Sequence, residues 1–323
     1  MTPRLDAPPQ RSLLAVPATS PRFLEKGAQS AADAIFIDLE DAVIPALKIE
    51  ARAKAIAAIN GLDWGPRIVW VRVNGLDTPW GCRDILDVVE ACPRLDGVLL
   101  PKCESPGDVH AACVMLRAAG QNGQRAREVR LAALIETARG VAEVEAIARS
   151  GDRLAAMVFG SGDYQVELGS FQRTVGAPSP DYAVLTDDGL QGRERHWNDV
   201  WHFAMARIAN ACRAYGLVPI DGPFAGIGDP EGLRSAAQRA AALGFDGKMA
   251  IHPSQIDVIN DVMSPSAEQV EWARGILDAM AAAAAEGRGA ARDARGQMID
   301  LMHIKLAHRI IERAGRIAGT LDE

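Results

Sequence analysis

Positive charge is in deficit in this chain: 35 Lys and Arg stand against 42 Asp and Glu, a net charge of −7. A nucleic-acid partner is not expected, because phosphate backbones are bound by a basic face. A local group of Arg and Lys can still hold a small anion. Cysteine is scarce, with five residues scattered singly at positions 82, 92, 103, 113 and 212. None forms a CxxC pair, which removes the common zinc and redox signatures. The odd count and the scatter fit reduced thiols in a cytoplasm, packed as small hydrophobes. No apolar run approaches the ~20 residues of a membrane span, so no membrane association is expected. The opening MTPRLDAPPQR is Pro-rich without an apolar h-region, and no signal peptide is expected. A GxGxxG fingerprint after the first strand-like run is missing, and Gly160-Ser161-Gly162-Asp163 lacks the Gly and Lys of a phosphate loop.

What is present is repetition. At 48% apolar and 24% charged the composition is that of an ordinary globular protein. Eight short apolar runs punctuate it: SLLAVP, AIFIDLED, IVWVRVN, GVLLPK, LAALIE, AAMVFGSGD, LVPIDG and GKMAIH. Between them lie helical patterns over 21–32, 48–59, 80–91, 105–119, 139–149, 199–215 and 230–243. Alternating strand and helix is the signature of parallel α/β architecture. Eight units predict a closed (β/α)8 TIM barrel over residues 1–263. A polar stretch over 170–195 reads as a long functional loop. Residues 264–323 form a C-terminal helical extension: a helix over 266–286, a flexible basic hinge over 287–296 and a last helix over 297–318. That extension is too small to fold alone and is expected to pack on its own barrel or on a neighbouring subunit.

Several strand-like runs end in a charged or polar residue: Asp38, Glu40, Asp41, Arg72, Lys102, Glu136, Asp163, Asp221 and His252. A buried strand has no reason of its own to end this way, but a barrel carries its active site at the C-terminal strand ends. Glu136 and Asp163 end neighbouring strands and could converge on one point. Two carboxylates without His or Cys suit a Mg²⁺-type site; each could instead cap the helix that follows it. Arg72 lies in an otherwise apolar strand and must be paired, either with Glu40 or Asp41 or with a substrate carboxylate. Asp38, Glu40 and Asp41 form a solvated loop or a supporting shell for the metal or for Arg72. Arg22 and Lys26 share a helix face, which is either simply solvated or a clamp for the phosphates of an anionic cofactor. Lys102, Asp221 and His252 receive no role.

The segments RSLLAVPATSPRFLEKG, AIFIDLEDAV, VRVNGLDTPWG, ALIETARG, VFGSGDY, IDGPF, EGLRSAAQRAAALGFDGKMAIHPSQI and SPSAEQVEWAR, in this order from Arg11 onward, resemble the citrate lyase beta-subunit-like (HpcH/HpaI aldolase) family. That family includes malyl-CoA and citramalyl-CoA lyases. The resemblance implies Mg²⁺, with Mn²⁺ as a substitute, held by Glu136 and Asp163. It implies a small 2-oxoacid bound by Arg72 and by backbone N–H groups near Gly162 and Asp163, and CoA phosphates bound by Arg22 and Lys26. Asp300 matches the acid of the family's MID motif, which a neighbouring subunit contributes to proton transfer; a homotrimer or homohexamer is implied. Where the family often has a second Asp four residues after the metal Asp, this chain has Glu167. The expected activity is Mg²⁺-dependent, Claisen-type C–C cleavage of a 3-hydroxyacyl-CoA such as malyl-CoA, methylmalyl-CoA or citramalyl-CoA into acyl-CoA and 2-oxoacid. The alternatives are a malyl-CoA-type thioesterase, a citrate lyase beta subunit acting on an acyl-carrier partner, and a non-catalytic CoA-ester-binding protein.

Overall fold

A computed structural model describes residues 9–122, 127–179, 181–187, 192–293 and 295–319. It divides into two compact units, Gln10–Asn260 and Asp261–Glu323. The first holds eight barrel strands: β1 (Ser12–Pro17), β2 (Ala34–Asp38), β3 (Ile68–Arg72), β4 (Gly97–Leu100), β5 (Arg130–Ile135), β6 (Leu154–Phe159), β7 (Val218–Asp221) and β8 (Gly247–Ala250). All pair in parallel, in the order β1-β8-β7-β6-β5-β4-β3-β2, and the ring is closed. The expected (β/α)8 barrel is therefore the observed fold.

Side chains alternate between the two faces of a strand, and the barrel core shows which parity points inward. Leu13, Ala34, Phe36, Ile68, Trp70, Leu99, Ala132, Leu134, Ala156, Val158, Ile220 and Met249 pack there as one buried cluster. Continuing those inward positions past the core reaches Asp38 after Phe36, Arg72 after Trp70, and Glu136 after Leu134. Asp221 and Lys248 have the opposite parity and fall outside the barrel lumen. The closeness of the ring shows at Gly97, where a β-carbon would collide with the ring of Trp70.

The pairing of β5 with β6 carries one irregularity. Leu131 faces Leu154, but Ala132 faces Ala156, so Ala155 is an extra residue on β6. Beyond this bulge Ile135 faces Phe159.

The observed elements differ from the expected ones at four places. The helical pattern over 139–149 is two short helices, Ala138–Ala142 and Val144–Ala148, because Glu143 between them leaves helical geometry (φ −101°, ψ 9°). The stretch read as a loop over 170–195 contains Ala183–Asp187 paired antiparallel with Arg193–Trp197; residues 180 and 188–191 of that stretch lie outside the described residues. In the second unit, Ala291–Arg292 pairs antiparallel with Met298–Ile299 where a flexible hinge was expected; residue 294 of that hinge lies outside the described residues. The last helix begins at Leu301 rather than 297, with Asp300 as its N-cap. This unit has its own small core of Ala273, Ile276, Met280, Ile299 and Ala307. Its long helix, Ala267–Ala285, starts with a capping box between Ser266 and Gln269, which satisfies two otherwise orphaned N–H groups. Among the described residues no helix is long and apolar enough to cross a membrane.

Candidate active site

Glu136 is only 2% exposed at the end of β5. It does not cap the following helix: Thr137 does, its Oγ1 accepting from Gly140 N–H at 2.9 Å. Glu136 Oε1 instead accepts the backbone N–H of Lys102 at 2.9 Å. Its other side faces Gly160, where a β-carbon would come within 2.6 Å of Oε2. Only glycine leaves room for the carboxylate there.

Asp163 is half-buried in the first turn of the helix Ser161–Glu167, which is entered through Gly160 without a side-chain cap. Asp163 is therefore not a capping residue either. Burial pushes the Glu136 carboxyl well above the ordinary carboxylate range, and the charge of Asp163 pushes it further. Glu136 is thus disfavoured as an anion by a second carboxylate, with the Lys102 N–H and the charge of Arg72 acting the other way. The loops that carry them are also tied: Glu167 Oε2 accepts the N–H of Ala138 at 2.7 Å.

Among the described residues no group of three or more His, Cys, Asp and Glu is gathered as a metal site. The pair still fits a hard divalent cation. Mg²⁺ commonly takes one or two carboxylates and fills the remaining positions with water and substrate oxygens. The charge conflict at Glu136 is what such an ion would relieve.

The opposite side of the strand-end ring is built differently. Arg72 closes β3 directly beside Asp38 of β2, its register partner. Its Nε and Nη2 donate to Asp38 Oδ1 and Oδ2 at 2.8 and 2.6 Å, the bidentate geometry in which guanidinium and carboxylate match best. Nη1 stands 3.0 Å from Glu40 Oε2 and donates to Asp41 Oδ2 at 3.4 Å. The Glu40 contact is a charge contact off the hydrogen-bonding direction, and Oε2 has no hydrogen-bond partner. The guanidinium also lies over the Phe36 ring, 5.6 Å from its centroid. Asp38 further accepts the N–H groups of Glu40 and Ala42. Lys48, buried, donates to the carbonyls of Leu39 and Glu40 at 2.9 and 2.6 Å. Asp38, Glu40 and Asp41 are therefore gathered around Arg72.

Lys102, given no role by sequence reasoning, joins the two sides. Its backbone holds Glu136 and its Nζ donates to Glu40 Oε1 at 2.9 Å. Burial raises the Glu40 carboxyl, against the lowering effects of Arg72 and Lys102. Lys102 also has φ 48°, in the left-handed region, which costs a non-glycine residue roughly 1–2 kcal/mol. The available signal was a lysine ending the strand next to that of Glu136.

Among the described residues, Arg22, Lys26, His252 and Asp221 form no hydrogen bond or ion pair with this constellation. Arg22 and Lys26 are exposed on the helix Pro21–Ala28, and neither forms an ion pair with a described residue. His252 caps the short turn Pro253–Gln255, with Nδ1 2.8 Å from Ser254 Oγ. Asp221 and Lys248 form a buried ion pair at 2.5 Å, and Lys248 Nζ also donates to the Gly222 carbonyl. The pair therefore ties the end of β7 to β8, and Gly222 sits so close to the Phe159 carbonyl that a β-carbon would collide with it. Asp300 belongs to the second unit. Its Oδ1 accepts Met302 N–H and lies 3.0 Å from His303 Nδ1, and these contacts hold its carboxyl below the ordinary range, His303 first.

Comparison with known proteins places this geometry among relatives. Residues 11–253 match the HpcH/HpaI aldolase/citrate lyase family. An L-malyl-CoA/beta-methylmalyl-CoA lyase of Cereibacter sphaeroides is 43% identical over 320 residues, 99% of each chain. A (3S)-malyl-CoA thioesterase of the same species is 35% identical over 313 residues, 97% of each chain. The crystal structure of the protein CitE from Mycobacterium tuberculosis, in complex with magnesium, acetoacetate and coenzyme A, superposes with a TM-score of 0.72 at 33% identity, covering 96% of this chain and 99% of that one.

Proposed function

Because this chain belongs to the HpcH/HpaI aldolase/citrate lyase family, we propose that it cleaves malyl-CoA or a methyl-substituted homologue, reversibly and with Mg²⁺, into an acyl-CoA and a 2-oxoacid. It is a carbon–carbon lyase. The observation that carries the substrate reading is the pair of carboxylates Glu136 and Asp163 at neighbouring strand ends, within reach of the charge of Arg72. The relatives support it: a lyase of malyl-CoA and beta-methylmalyl-CoA at 43% identity, and a CitE that binds magnesium, acetoacetate and coenzyme A.

Glu136 and Asp163 would hold the metal. Bound there, Mg²⁺ (or Mn²⁺) supplies Lewis acidity at the oxygen-bearing carbon of the substrate. Arg72, locked in place by Asp38, orients the oxoacid carboxylate, and fixed orientation removes part of the entropic barrier. The backbone around Gly162 and Asp163 lines the same position. Arg22 and Lys26, exposed on the helix after β1 and in no ion pair among the described residues, hold the CoA phosphates. Asp300 exchanges a proton with the α-carbon of the acyl-CoA. It caps the last helix through Met302 N–H and lies against His303, and as a carboxylate it would be the base of the condensation direction. A neighbouring subunit's tail supplies it, so the enzyme works as a homotrimer or homohexamer, in the cytoplasm.

Purified protein given Mg²⁺, acetyl-CoA or propionyl-CoA, and glyoxylate, pyruvate or oxaloacetate in turn tests this reading. The expected product is the hydroxyacyl-CoA ester. Accumulation of free hydroxyacid would instead assign the thioesterase activity of the 35%-identical relative, and a requirement for other chains would assign a citrate lyase subunit. Asp300→Asn should lower C–C turnover by ~10²-fold or more with calorimetric Mg²⁺ binding intact. Turnover near that of the unsubstituted enzyme removes Asp300 from the mechanism.

A further inference from the structure

Lys102 follows Pro101 just beyond β4, between the strand that carries Arg72 and the strand that carries Glu136. Its φ of 48° is the one positive value at a non-glycine residue among the described residues. A lysine stays in that region only where its surroundings hold it. The backbone shows what the turn achieves. Cys103 N–H donates to the Leu134 carbonyl at 3.2 Å and so belongs to the β4–β5 ladder. The N–H of Lys102, one residue earlier, is diverted to the Glu136 carboxylate at 2.9 Å. With Oε1 engaged in this way, Oε2 is the oxygen turned to Gly160, at the strand end that leads into Asp163. The side chain of the same lysine reaches the other way and is anchored on Glu40 Oε1 at 2.9 Å.

We infer that Lys102 is a positioning residue for the metal carboxylate. Its backbone fixes Oε1 of Glu136 and so selects Oε2 as the ligand atom, and its ammonium, clamped on Glu40, keeps that backbone in the turn. The inference rests on the reading of Glu136 and Asp163 as Mg²⁺ ligands. Groups that orient metal ligands typically change metal affinity by ~10–100-fold when removed.

The test is calorimetric titration of Mg²⁺ into the full chain and into Lys102→Met, Lys102→Arg, Glu40→Gln and Glu136→Gln, each checked for folding by circular dichroism. A positioning role and a charge role have opposite signs. Removing a cation near a metal site should by electrostatics alone strengthen Mg²⁺ binding. If Lys102 positions Glu136, Lys102→Met weakens binding by about 10-fold or more, and Lys102→Arg, which keeps a donor for Glu40, restores most of the loss. Glu40→Gln removes both the anchor and a negative charge, and each loss weakens Mg²⁺ binding, so undiminished binding in it overturns the anchor whether or not Lys102→Met folds. Equal or tighter binding in Lys102→Met, or in Glu40→Gln, overturns the role of Lys102 alone, provided Glu136→Gln binds weakly. If the unsubstituted protein binds no Mg²⁺, or Glu136→Gln binds as well as it does, the metal reading falls and this inference with it.

Discussion

The two halves of the strand-end ring solve opposite electrostatic problems. On the β2–β3 side, Asp38, Glu40 and Asp41 surround Arg72 and Lys102, and every charge has a counter-charge within reach. On the β5–β6 side, burial first and the charge of Asp163 next push the Glu136 carboxyl up, against the lowering effects of the Lys102 N–H and of Arg72. The first half is held together by its own ion pairs, which fix Arg72 in the orientation that the proposed function uses. In the second, neither Glu136 nor Asp163 forms an ion pair among the described residues. The difference shows how a strand-end acid can be sorted: an acid with a built-in partner supports the site, and an acid without one awaits a ligand.

The largest test of the contrast is Arg72→Ala. It strands Asp38 as a buried, uncompensated charge and leaves Glu40 with Lys102 alone, and should destabilise the protein by about 3–5 kcal/mol in urea unfolding. A small loss would mean that the β2–β3 half is no more self-sufficient than its counterpart. On the other half, Glu136→Gln should lower Mg²⁺-dependent turnover by ~10²–10³-fold while leaving the metal-free protein folded.

The same substitution has a smaller, pH-dependent effect on stability. The Glu136 carboxyl lies above its unfolded-state range, so the folded chain binds the proton more tightly. The stabilisation this brings is complete below the ordinary carboxylate range and is lost as pH rises through the raised value. Metal-free Glu136→Gln should therefore match the unsubstituted protein in acid and melt higher than it in mildly alkaline buffer, by on the order of 1 kcal/mol per unit of upward displacement. Saturating Mg²⁺, which stabilises only the chain that binds it, should reverse the difference. Identical melting curves across that range would show that Glu136 is not under charge strain. The smallest expected effect is that of Asp41→Asn. Asp41 is 54% exposed and 3.4 Å from Arg72, and its loss should cost less than about 1 kcal/mol. A larger cost would put Asp41 within the closed network.

The inward direction of Asp38, Arg72 and Glu136 could be read from sequence because strands have a period of two and the apolar residues before them fix the phase. The helix start at Asp300 was harder to read. The acid capping it stands before LMHIKLAH, but the preceding QMI extends the apolar pattern backward into a strand pair. Partner choice was legible only in part. Arg72 was expected to pair with Glu40 or Asp41, but the register that sets Asp38 beside it is a tertiary fact. The conformation of Lys102 left no trace in the sequence, since nothing in a lysine announces a left-handed backbone. The hairpin after β6 was hidden because AVLTD and RERHW lack a sustained alternation of apolar and polar residues.

The bulge at Ala155 has a consequence for inheritance. If Ala155 were instead drawn into regular pairing opposite Ala132, every later partner would slip by one residue, Phe159 would stand opposite Glu136, and Gly160 would move past it. An aromatic ring would then occupy the space that the carboxylate and any bound ion need. Flattening this one bulge could thus silence the site while every acidic and basic residue in it survived. In descendants of this lineage, the bulge in β6 deserves the same scrutiny as the charged letters at the strand's end.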